Sequence, residues 1–121
     1  EIMSNINKKN FYSPDETQSL FEGKIKIDKL TVGGLTVQKE TIEPGWQWSK
    51  HNKSVSQTDS CQKFHVKYVI SGKQKIVMDD GTKMEIGSGD FAVIQPGHDA
   101  WTVGNEPTVL LEFAGAVKNT S

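Results

Sequence analysis

Apolar residues recur along this chain with a period of two. Lys24-Ile25-Lys26-Ile27 alternates strictly, and so does Leu35-Thr36-Val37-Gln38. Ile76 with Met78, Met84 with Ile86, and Val109 with Leu111 and Phe113 each repeat at every second position. Such alternation is the signature of a strand with one buried face. No window keeps apolar residues at helical spacing. The pattern leaves room for one short helix, Asp15–Phe21, with Ser13 or Asp15 as its cap.

Glycines punctuate the strands at Gly33-Gly34, Gly45, Gly72, Gly81, Gly87, Gly89, Gly97 and Gly104. Asp80-Gly81, between two alternating segments, marks a hairpin. Many short, evenly spaced strands in one chain predict an all-β sandwich or small barrel. Residues 1–22 are polar and read as an N-terminal arm, docked by Phe11, Tyr12, Leu20 and Phe21. Within it Met3 is the expected native start, after Glu1 and Ile2. Residues 23–117 read as the barrel domain and 118–121 as a tail. The alternating Lys24–Lys29 segment is either an edge blunted by lysines or a pairing strand. Asn52–Gln62 is the one long loop expected, and such loops are often functional.

Composition narrows the function. The chain has 121 residues, enough for one domain. Lys+Arg is 14 and Asp+Glu is 15, a formal charge of −1, which argues against a dedicated nucleic-acid binder. Apolar runs such as Phe91–Ile94 are too short to span a membrane. The single cysteine cannot build a disulfide framework. With no apolar leader near the amino terminus, the expected location is the cytoplasm.

The chemistry rests on three histidines, His51, His65 and His98. Neutral imidazole is the commonest metal ligand. Their spacing is too long for one hairpin, so only a rolled-up fold could bring them together. His65 shares parity with Lys67 and Val69, whereas Val66, Tyr68 and Ile70 form the more apolar face. If the apolar face alone packs the core, His65 points to solvent; a polar cavity inside a barrel turns it inward. Cys61 has the parity of His65, but four residues of straight strand span roughly 13 Å, so the two share a metal only if the chain bends. Trp46 and Trp48, on one strand face, and Trp101 form either an aromatic wall around a ligand or ordinary packing. Gln62 and Lys67 are polar groups for the same cavity. Asp59 and Asp99 read as turn residues. Glu43, Asp59 and Glu112 have no motif context for a catalytic carboxylate pair.

Three spacings go further. Gly45 is followed after five residues by His51. His65 is followed after six by Gly72, in His65-Val66-Lys67-Tyr68-Val69-Ile70-Ser71-Gly72. Downstream runs Gly89-Asp90-Phe91-Ala92-Val93-Ile94-Gln95-Pro96-Gly97-His98. From about Glu40 to Phe113 the chain resembles the cupin superfamily, and in particular small single-domain cupins of unassigned function. The resemblance implies a double-stranded β-helix (jelly roll) holding one divalent transition metal, Zn, Ni, Fe or Mn. It places His51 at the first histidine position and His65 where a glutamate is usual. His98 stands two residues before the usual second-motif histidine position, which here is Ala100, and Lys53 replaces another histidine. The implied ligand set is His51, His65 and His98, with an open position for water or a small molecule; Cys61, which the resemblance does not call for, is either an extra ligand or a small buried or loop thiol. Two functions follow: a metal-dependent small-molecule enzyme, or a non-catalytic ligand-binding or sensing module. A homodimer is the expected assembly.

Overall fold

The structure is a computed structural model that describes residues 4–114. The expected start at Met3 and the tail 118–121 lie outside the described residues.

Nine strands and two single-turn helices follow one another: β1 (Glu16–Leu20), β2 (Ile25–Val32), β3 (Leu35–Ile42), α1 (Trp48–His51), α2 (Lys53–Ser56), β4 (His65–Ser71), β5 (Lys73–Met78), β6 (Lys83–Gly87), β7 (Phe91–Ile94), β8 (His98–Thr102) and β9 (Thr108–Glu112). Six form one sheet in the order β1-β2-β3-β9-β4-β7, and three form a second in the order β6-β5-β8. This is the two-sheet jelly roll expected. Residues distant in sequence become neighbours: β9 joins β3 to β4.

Local chemistry sets the turns. Val32 pairs with Leu35 across the two-residue loop Gly33-Gly34. Both glycines have positive φ (58° and 82°), which a tight hairpin loop needs and side-chain-bearing residues resist. The helix expected over Asp15–Phe21 is instead strand β1. Its residues pair with β2, Leu20 against Ile25 and Glu16 against Lys29, so ladder bonds to a waiting neighbour win over a marginal isolated turn. The end of the expected arm thus joins the sheet, and β2 is a pairing strand between β1 and β3 rather than an edge. The expected loop Asn52–Gln62 contains α2, and Trp48 opens α1 rather than sharing a strand face with Trp46. Asp99 from β8 holds α1 in place. Its carboxylate accepts the Ser49 N–H (3.0 Å), the Ser49 hydroxyl (2.8 Å) and the Gln47 amide (2.9 Å).

Ile25, Ile42, Trp46, Trp48, Val69, Ile76, Ile86, Ile94, Ala100 and Leu110 make the core between the sheets. Alternation puts Thr108, Leu110 and Glu112 of β9 inside, leaving Val109 and Leu111 half-buried on the outer face.

Candidate metal and ligand site

Strand β4 enters the barrel with its polar parity inward. His65 and Lys67 line a cavity of about 460 Å³ while Tyr68 and Ile70 face out. His98 opens β8 and is 2% exposed. Its backbone pairs with Cys61: the Cys61 N–H donates to the His98 carbonyl at 2.7 Å, and the His98 N–H returns to the Cys61 carbonyl at 3.3 Å. Residues 62–64, between that bridge and β4, are not part of a strand, so the straight-strand separation does not apply. Cys61 Sγ lies 3.7 Å from His65 Nε2. One ligand atom each from Cys61, His65 and His98 falls within 4.8 Å of the others, and the two imidazoles meet edge to face at 5.2 Å.

The outer nitrogens of both rings are held. His65 Nδ1 donates to Glu112 Oε1 at 2.6 Å. Glu112 Oε2 accepts the backbone N–H groups of Val66 (3.0 Å) and Ala114 (3.1 Å). His98 Nδ1 donates to the Gln95 carbonyl at 2.8 Å, since a carbonyl only accepts. Each ring is therefore fixed with its proton on Nδ1, leaving Nε2 as the lone-pair nitrogen, which in His65 faces the Cys61 sulfur. Burial pushes both imidazoles below the usual histidine range, against the opposing pull of Glu112 on His65 and of the Gln95 carbonyl on His98. Burial works to raise the Glu112 carboxyl, but the hydrogen bonds from His65 and Val66, with the neighbouring positive charge, hold it below the ordinary range. A neutral imidazole giving Nδ1–H to a carboxylate is the common outer arrangement of a metal-bound histidine. Two oriented imidazoles and a thiol are a donor set that fits a transition metal.

His51 is not part of this cluster. It lies on α1, its Nδ1 at the Gln47 backbone and its ring 5.9 Å from Phe21. Trp46, Trp48 and Lys67 line the cavity with Leu20, Phe21 and Glu40. Gln62 and Trp101 are not among the lining residues; the Gln62 amide donates to Ser60, and Trp101 has the outward parity of β8. A larger cavity of about 580 Å³ opens between β6 and β7, but its charged residues, Lys83, Glu85 and Asp90, are exposed, and among the described residues no metal-ligand cluster faces it.

Glu112 and Asp99 are the residues the sequence reading missed. Glu112 stood out in one respect: it is a carboxylate in register with Thr108 and Leu110, on the face opposite Val109 and Leu111.

A family model described as the EutQ-like cupin domain matches residues 45–109. A search of curated proteins found no match. Among solved structures, the chain is similar to a protein of unknown function from Vibrio parahaemolyticus, at 16% identity over 81% of this chain and 96% of that one, with a TM-score of 0.59. It is also similar to an RmlC-like cupin from Shewanella frigidimarina (18% identity, 88% and 89% covered, TM-score 0.55). A third likeness is to the oxalate decarboxylase of Lactobacillus farciminis (13% identity, 98% and 35% covered, TM-score 0.61). At these identities the structural likenesses show the fold alone.

Proposed function

The chain belongs to the EutQ-like cupin domains, and from that premise we propose that it binds one divalent transition metal through Cys61, His65 and His98 and presents it to a small organic ligand in the barrel. The observation that carries the reading is the pair of imidazoles locked by Glu112 and the Gln95 carbonyl, with one ligand atom of each ring and the Cys61 sulfur within 4.8 Å of one another. A thiolate among the donors favours Zn, Fe or Ni over Mn, which prefers oxygen ligands. Three protein donors leave a position open, the arrangement of a catalytic rather than a closed structural site. When bound, the metal supplies Lewis-acid polarisation to an oxygen of the ligand.

The remaining roles belong to the chain's own residues. Leu20, Phe21 and Trp46 wall the cavity and exclude water, Glu112 orients His65, and Asp99 anchors the helix that closes the same end. Whether the ligand is turned over or only bound separates enzyme from sensor, and assay of consumption against a panel of small acids, diketones and sugars distinguishes them. A single free, buried thiol in the site needs reducing surroundings to remain a ligand, which supports a cytoplasmic location. Among the described residues no helix is long and apolar enough to cross a membrane.

The outer face of β4 and β7 exposes Tyr68, Ile70, Phe91 and Val93, beside Phe113, whose ring lies 6.5 Å from that of Phe91. A contiguous exposed apolar face on an edge strand is a contact surface, and its occupant in this proposal is a second copy of the chain. The metal reading is tested with Co²⁺: the wild-type protein should develop a sulfur-to-cobalt charge-transfer band that Cys61→Ser lacks. A cobalt spectrum unchanged by Cys61→Ser refutes the thiolate ligand.

A further inference from the structure

We infer that the acceptor this cavity takes is a small carboxylic acid, anchored through its carboxylate by Lys67; the inference names the ligand class for the site proposed above and rests on that reading for its location only. Lys67 follows His65 by two residues on β4, so alternation puts both side chains on the inner face. It is 5% exposed, yet it lines the cavity. An ammonium has three donor hydrogens, and a buried charge needs partners to offset its desolvation. Among the described residues Lys67 Nζ makes one hydrogen bond, to Gln74 Oε1 at 3.2 Å.

Gln74 does not relieve this shortage. It is 0% exposed, and its Nε2 has no partner. Turning the amide over would bring Nε2 against the Lys67 ammonium, donor to donor. The corner therefore holds a surplus of buried donors.

The chain's own carboxylates do not fill the need. Glu112 stands opposite Lys67 in the β4–β9 register, but its oxygens are taken by His65, Val66 and Ala114. Glu40 faces the cavity from β3, and burial pushes its carboxyl up while the Lys67 charge pulls it down. It forms no ion pair with Lys67 among the described residues. Lys63 adds a second cation to the lining, at an exposed position. A neutral alcohol or amide would bring a further donor into this corner. A carboxylate brings two acceptor oxygens and the opposite charge, and charge-assisted hydrogen bonds are the strong ones. The apolar walls from Leu20, Phe21, Ile25 and Trp46, in a cavity of about 460 Å³, leave ample room for the carbon skeleton of a small acid.

The test titrates malonate, with neutral malonamide as control, into chelator-treated and cobalt-loaded protein, followed by calorimetry. Malonate should bind wild type, malonamide should not, and Lys67→Met should weaken malonate binding at least about tenfold. Where Lys67→Met folds poorly, the double variant Lys67→Met/Gln74→Met replaces both ends of the buried polar pair by apolar groups of similar length, a change tolerated better than orphaning one partner. It should lose malonate binding in the same way. Equal malonate binding by wild type and either variant, or no malonate binding by wild type in both forms, overturns the anchor. The cobalt band is read in the same samples. A wild type that binds malonate through Lys67 without that band refutes the metal and supports the anchor, whereas an intact band without malonate binding refutes the anchor alone.

Discussion

His65 and His98 are prepared in the same way by different partners. Each gives its Nδ1 proton to a fixed acceptor and keeps Nε2 unprotonated, one through the Glu112 carboxylate and the other through the Gln95 carbonyl. Outer partners of this kind are worth roughly 10–100-fold in metal affinity. Glu112→Gln should therefore weaken Zn²⁺ binding by about that factor, measured by competition with a chelating dye. An unchanged affinity would show that Glu112 matters only for packing. Glu40 gives a separate prediction at this scale. Burial raises its carboxyl above the unfolded value, so the folded state holds the proton more tightly. Its contribution to stability is full below the unfolded carboxylate pKa and is lost as pH rises through the folded value. Glu40→Gln stays neutral throughout. The variant should melt higher than the parent at about pH 8, with the gap closing towards about pH 4, where an unfolded glutamate protonates. A gap independent of pH in thermal melts contradicts this.

At the scale of the elements, the period-two pattern was legible because strand alternation is a property of neighbouring residues alone. The facing of β4 was not. Val66-Tyr68-Ile70 looks like a core face, yet Tyr68 and Ile70 are exposed and only Val66 is buried, because the opposite face lines a polar cavity with His65 and Lys67. The same inversion applies to Val109 and Leu111 on β9. Strand β1 was hidden for a different reason: ETQSL has little apolar content of its own, and its ladder bonds come from β2. The turn after β4 was readable, and its glycine is now explained. Gly72 has φ 78°, and a Cβ there would lie 2.7 Å from Thr108 Cα and against the Pro107 carbonyl. Gly81, also at positive φ, has open space around its missing Cβ. Gly72→Ala should therefore cost more than about 2 kcal/mol, a fall of roughly 10 °C in melting temperature for a domain of this size. Gly81→Ala should cost only backbone strain, about 1 kcal/mol. Variants that melt alike would show that the close approach of β9 is not what requires glycine at 72.

At the scale of the whole molecule, the fold was legible in glycine and histidine spacing, because Gly72 and Gly97 mark local turns, and that spacing also singled out His65 and His98, which the structure brings together. Cys61 was legible only as a candidate that needed a bend, since its approach to His65 accompanies a backbone bridge to His98 that spacing does not show. His51 is equally instructive: Trp48–His51 turns into a helix anchored by Asp99, and that turn carries its ring away from the cluster. The proposed homodimer is a claim about the same scale. Phe91→Glu together with Val93→Lys should convert a dimer to a monomer in sedimentation velocity without loss of the melting transition; a dimer that survives both charges would place the interface elsewhere. The proposed metal site is tested by the zinc content of untagged wild type, His65→Ala and His51→Ala after loading with Zn²⁺ and gel filtration. The predicted result is one zinc per chain in wild type and in His51→Ala and none in folded His65→Ala, whereas zinc retained by His65→Ala, or lost from His51→Ala, would contradict it.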